Sequence, residues 1–132
     1  MTSDQDKDLV RRMFAAFDAV DDAAMDKLLS PDFVAHGLAP YFTEDGVGWK
    51  QLAAHWAAGL SDEQLALNDF VAEDGKVAVR WTSRATHSGT IFGIPATNRR
   101  VTLKGIDIYL LTDGRCSEYW GELNLSDLSE AT

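Results

Sequence analysis

Cysteine, basic residues and long apolar runs are all scarce in this chain. One cysteine, Cys116, stands in 132 residues, which excludes an internal disulfide and suits a reducing cytoplasm. No apolar run approaches the roughly 18 residues needed to cross a bilayer. The opening MTSDQDKDL is acidic and polar, the opposite of a signal peptide. Only 12 Lys and Arg face 21 Asp and Glu, and the formal net charge of −9 makes nucleic acid and anionic membrane poor partners. Metal patterns are missing as well: there is no HxxxH, HExxH or CxxC, and three scattered histidines with one cysteine make a weak ligand set. GTIFGIPATN lacks both GxGxxG and a following Lys-Ser/Thr, and no serine has a GxSxG context. No metal and no cofactor is expected.

What remains reads as one acidic, cytoplasmic domain over residues 1–132, with 45% hydrophobic residues to build a core. Leu9, Val10, Met13, Phe14, Phe17 and Val20 recur at three- and four-residue spacing, predicting an amphipathic helix over Asp4–Asp21 capped by Ser3 or Asp4. A short helix over Ala23–Leu29 stops near Ser30-Pro31. Phe33–His36 is extended, Gly37–Gly48 is a turn-rich loop, and Trp49–Ala58 is a third helix. Strands follow at Leu65–Ala72, Lys76–His87, Val101–Leu111 and Arg115–Leu123. Asp74-Gly75 and Asp113-Gly114 separate them pairwise, the strongest short-range hairpin signal. Helices first and hairpins afterwards point to an α+β fold with helices on one face of an antiparallel sheet.

Asp107 sits alone between Ile106 and Ile108 in the third of these strands. A two-residue turn pairs Thr112 with Arg115, so Asp107 should face Trp120, and Tyr109 should face Glu118. A carboxyl near a strand centre is either exposed and ion-paired, or a pocket acid whose pKa burial raises. Among the histidines, His36 at a strand end is suited to general-base work at neutral pH, or is a surface loop residue. His87 lies within a dense Gly and Pro segment and is expected to shape that turn or line a pocket mouth. His55, on the third helix, is expected to be exposed or to pack. Trp49, Trp56 and Trp120 are large rings suited to walling a pocket for a flat, aromatic ligand. Pro40-Tyr41 and Thr43-Glu44-Asp45 look like its rim.

Two segments carry a family resemblance. Thr86-His87-Ser88-Gly89 continues to Gly93-Ile94-Pro95 and Thr97, a THxGxxxGIPxT pattern, and Glu118-Tyr119-Trp120 follows the second hairpin. This stretch resembles the signature of the SnoaL-like polyketide cyclases, within the nuclear transport factor 2-like fold. The resemblance implies a cone-shaped α+β barrel with a pocket inside, and a homodimer through the outer sheet face. It also implies cofactor-independent proton transfer on a small polyketide-like or polycyclic carbonyl compound, ending in aldol closure.

In that scheme His36 takes the proton and Asp107 hydrogen-bonds the enolate oxygen. Trp120 and Asn124 position the ring, and Phe14, Tyr41, Trp49, Trp56, His87 and Glu122 complete the binding site. Ketosteroid isomerases share the fold, and their oxyanion-hole aspartate lies in a context like that of Asp107. Phe14 stands where they carry a catalytic tyrosine, and His36 where they carry the basic aspartate. Asn124 stands where the cyclases commonly carry an acid, four residues after the tryptophan, and asparagine exchanges no proton at neutral pH. Three alternatives stay open: a non-catalytic binding protein of the same fold, a hydroxylase-like relative, or an epoxide hydrolase-like one using Arg80 with Asp107.

Overall fold

The structure, a computed structural model, describes residues 2–129. Helix α1 (Ser3–Asp18) is capped by Thr2, not by the expected Ser3 or Asp4. The Thr2 hydroxyl accepts from the Gln5 amide at 3.1 Å, and the Gln5 side chain accepts from the Thr2 amide at 2.9 Å, a reciprocal capping box. The helix ends three residues short of the predicted Asp21. That residue caps α2 (Asp22–Leu28) instead, its carboxylate accepting from the Ala24 amide at 3.1 Å. Strand β1 (Leu29–Ala35) runs through Ser30-Pro31, tolerable because it is an edge strand where a missing N–H costs little. Helix α3 (Gly46–Gly59) begins three residues before Trp49, with Asp45 accepting from the Gly48 amide at 3.0 Å. A Cβ on Gly48 would lie 1.7 Å from the Thr43 carbonyl oxygen, so the loop can fold onto the first helical turn only over a glycine.

Strands β2 (Leu60–Glu73), β3 (Lys76–His87), β4 (Arg100–Thr112) and β5 (Arg115–Asn124) form an antiparallel meander, and β1 joins β5 in parallel. The short helix α4 (Ser126–Ser129) follows. Both Asp-Gly turns have positive φ at each central residue, +52° and +76° at 74–75 and +53° and +77° at 113–114. That is the turn geometry whose twist matches a hairpin. Strand β2 extends five residues earlier than predicted, because register shifts at 61–64 and 67–69 break the alternation that sequence patterns detect.

The sheet is curved, with the helices packed on one face. Val77, Val79, Trp81, Ser83, Ala85 and His87 of β3 point inward, as do Val101, Leu103, Asp107, Tyr109 and Leu111 of β4. Leu9, Val10 and Met13 of α1 and Trp49, Leu52 and Ala53 of α3 close over this face.

The β4–β5 register corrects one expectation. Thr112 pairs with Arg115, but Leu110 pairs with Glu118 and Leu111 with Cys116, leaving Ser117 as an extra, bulged residue. Beyond the bulge every partner moves by one: Asp107 lies opposite Gly121, and Tyr109 opposite Tyr119. A one-residue slip exchanges the faces. Tyr119 therefore points inward and Trp120 outward.

Candidate active site

Between the helices and the inner sheet face lies a cavity of about 620 Å³, counting its open mouth. Its depth is polar in one place only. Asp107 is 4% exposed; its Oδ2 accepts from the Tyr109 hydroxyl at 2.8 Å and its Oδ1 from the Tyr119 hydroxyl at 3.3 Å. Burial pushes the Asp107 pKa up from 3.8 to about 6, against the lowering effect of Tyr109, Trp81 and Tyr119. The Trp81 indole N–H is directed toward the carboxylate but falls short of full hydrogen-bond geometry, and Nε1 has no partner that meets it. Both tyrosine pKa values are driven well above 10 by burial and then by the Asp107 charge, so both phenols stay donors.

Two strand glycines make this cluster possible. A Cβ at Gly121 would lie 2.0 Å from the Tyr119 hydroxyl, and one at Gly105 would lie 2.4 Å from the Trp81 ring. Each is a position where a side chain sits against bare backbone. Phe14 meets the Tyr109 ring edge-on at 5.9 Å, and Trp49 meets Tyr119 at 4.7 Å, so aromatic contacts set both phenols.

A second acidic group, absent from the sequence expectations, lies at the mouth. Asp18 at the end of α1 is exposed, and Glu63 of β2 is half-buried; both line the cavity. Glu63 Oε2 accepts from Trp56 Nε1 at 3.0 Å and from the Ser83 hydroxyl at 2.5 Å. The Asp18 pKa rises to about 6, chiefly through a hydrogen bond shared with Glu63, then through burial and the Glu63 charge. One signal for Asp18 was available: it follows Phe14 by four residues, one turn along the same helical stripe. Glu63 sits in a register shift and has no such signal.

Of the residues singled out in the sequence, the cavity brings together Asp107, Phe14, Trp49 and Trp56. His36 is not among them. Its ring stacks on Trp120 at 5.3 Å and 16°, and its Nε2 lies 2.6 Å from Glu118 Oε2, on the opposite sheet face. There His36, Trp120 and Glu122 share a shallow depression with Ile106 and Ile108. Asn124 closes an Asx turn, its Oδ1 accepting from the Ser126 amide at 3.1 Å and the Ser126 hydroxyl at 2.8 Å. His87 is fully buried; Nδ1 lies 3.1 Å from the Thr97 hydroxyl, and its backbone bonds to Arg99 and Asn98 fasten the Gly and Pro segment. Tyr41 is 60% exposed and leans on Phe92 at 5.2 Å, outside the cavity. Of the two expectations for His55, packing is the one met: it is half-buried, its Nε2 accepting from the Phe92 amide at 2.9 Å. Arg80 pairs with Asp69 at 2.7 Å on the outer face, while Val79 sits opposite Asp107, so no Arg–Asp set forms inside. Among the described residues, no three His, Cys, Asp or Glu side chains gather as a metal site.

Known proteins fit this geometry. TsrD of Streptomyces laurentii superposes with a TM-score of 0.87 at 29% identity, over 99% of this chain and 96% of that one. AclR of Streptomyces galilaeus, a proposed hydroxylase, gives 0.82 at 26%, over 99% and 100%. IdmH of Streptomyces antibioticus, a proposed polyketide cyclase, gives 0.81 at 24%, over 96% and 97%, a likeness of fold. Among curated proteins there is no sequence match. The sequence pattern of the SnoaL-like polyketide cyclases matches residues 7–131, nearly the whole chain. The chain belongs to the SnoaL-like polyketide cyclase family, on the nuclear transport factor 2-like fold.

Proposed function

We propose that this protein is a cofactor-independent enzyme that moves protons on a small polyketide-like or polycyclic carbonyl compound, with Asp107 as the proton carrier. One observation supports this above the others: a carboxyl 4% exposed in an apolar cavity, held by two tyrosine hydroxyls and, among the described residues, by no cation. An acid with a pKa near 6 is ionised at neutral pH yet takes a proton readily. Asp107 removes a proton from the carbon beside the substrate carbonyl, leaving an enolate. The enolate carbon attacks a second carbonyl of the same molecule and forms the new C–C bond. The resulting alkoxide takes the proton back from Asp107, and the carboxylate is regenerated. No electrons are gained or lost, so no redox partner is needed. The base role expected of His36 passes to Asp107, because His36 lies across the sheet.

A non-catalytic binding protein is the second reading, favoured by Phe14 and Asn124, which stand where related enzymes carry acid/base groups. We also propose that two copies pair through the outer face. There Val34, Ile106 and Ile108 are 38%, 55% and 40% exposed beside Trp120.

The test is exchange in deuterated buffer, read by mass spectrometry on aromatic polyketide esters and cyclic ketones. Deuterium beside the carbonyl, or a cyclised product, is expected. Saturable binding with neither would overturn the enzyme reading in favour of the binding protein.

A further inference from the structure

The charged groups around the cavity are of one sign. Asp18, Glu63 and Asp107 line it, and among the described residues no Lys, Arg or His does. Two independent features of that lining lack a partner suited to them. At the mouth, Asp18 and Glu63 both line the cavity as acids, and Glu63 is fixed as an acceptor by Trp56 Nε1 at 3.0 Å and the Ser83 hydroxyl at 2.5 Å. At depth, Trp81 is 6% exposed and lines the same cavity; its indole N–H is directed toward Asp107 but meets no acceptor at full hydrogen-bond geometry.

Resting on the reading of this cavity as the substrate site, we infer that its ligand is a flat carbonyl compound bearing a protonated amine. The amine is placed between Asp18 and Glu63, and the carbonyl oxygen on the Trp81 N–H.

A hydrogen bond with Glu63, then burial and the Glu63 charge, push the Asp18 pKa up to about 6, so a proton on Asp18 is favoured there. An ammonium group replaces that proton with three donors and a charge, and charge-assisted bonds of this kind exceed neutral ones. The buried indole N–H gains an acceptor at full hydrogen-bond geometry, next to the carboxyl that exchanges the substrate proton. A carboxylate or phosphate-bearing ligand would bring a further negative charge among three acids with no cation to meet it. The net charge of −9 works in the same direction, favouring the approach of cations over anions.

The test uses three matched probes, acetylnaphthalene, its aminomethyl derivative and its carboxymethyl derivative, with affinities read by calorimetry at pH 7.5. The amine is expected to bind about tenfold tighter than the neutral ketone, and the carboxylate about tenfold weaker. In Asp18→Asn/Glu63→Gln the ratio of amine to neutral affinity should fall to within about twofold. Asp18→Asn alone should lower the same ratio and serves if the double variant does not fold. Binding by all three probes without charge preference, or an amine preference that survives both variants, would overturn the ligand class and leave the proton-transfer reading standing. No binding by any probe would overturn both.

Discussion

Tyr119 and Trp120 are neighbours in sequence and lie on opposite faces of the sheet, as do Asp107 and Ile108. Each face holds an acid next to an aromatic ring, yet water treats the two differently. Inside, Asp107 is stripped of solvent and held by phenols, and its pKa is driven to about 6. Outside, the His36 and Glu118 side chains are 43% and 32% exposed, and their contact is of the screened kind, worth about 0–1 kcal/mol. Chemical poise follows from desolvation more than from the residue types present. A histidine in the open is a weaker candidate here than an aspartate in the dark.

The sharpest way to break that comparison is Asp107→Asn, which removes the carboxyl proposed as the proton carrier while keeping its shape. Turnover on an active ketone should fall by about 10² to 10⁴. A loss below tenfold would return the chemistry to another group.

Stability should move the other way. Folding raises the Asp107 pKa from 3.8 to about 6, so the native state holds this proton more tightly than the unfolded chain does. The stability it contributes is complete below about pH 4 and is lost as pH rises through about 6, by at most about 3 kcal/mol. Urea titrations at pH 4 to 8 should show this loss in the wild type and a flatter profile in Asp107→Asn. An equal slope in both would place the titration elsewhere.

Gly121→Ala probes the space behind the same cluster. Its Cβ would fall 2.0 Å from the Tyr119 hydroxyl and 3.2 Å from Asp107 Oδ1. About 1–3 kcal/mol of destabilisation is expected from overpacking, measurable as a shift of the urea midpoint.

Tyr109→Phe has a finer effect. It removes the hydroxyl that most lowers the Asp107 pKa, so the acid limb of activity should move up by about one unit. On the outer face, Ile108→Lys should weaken self-association in sedimentation and leave exchange within about twofold.

Much of this was legible in the sequence, for identifiable reasons. Helical stripes such as Leu9, Val10 and Met13, and the two Asp-Gly turns, report local geometry that needs no tertiary information. Asp107 was legible as an acid on an apolar strand, where only burial or pairing can account for it. The bulge at Ser117 was not, since Cys116 and Ser117 carry no turn signature. That one residue moved Trp120 out of the expected pocket and Tyr119 into it. Asp18 shares the Phe14 stripe one turn on, a weak signal beside ordinary helix polarity, and Glu63 lies on a strand whose alternation is interrupted. His36 misled because a strand end does not declare which face its next side chain joins. Asn124 was singled out because the resemblance implies an acid there, and its side chain is spent on the Ser126 turn.

The most direct measurement is the pH dependence of turnover in the wild type and in His36→Ala, run side by side. A base must be ionised, so the rate should rise through a midpoint of about 6, the Asp107 value, and level off above it. The same limb should persist in His36→Ala, with turnover within about threefold of the wild type, as for a change outside the site. Loss of that limb together with most of the rate in His36→Ala would contradict the account.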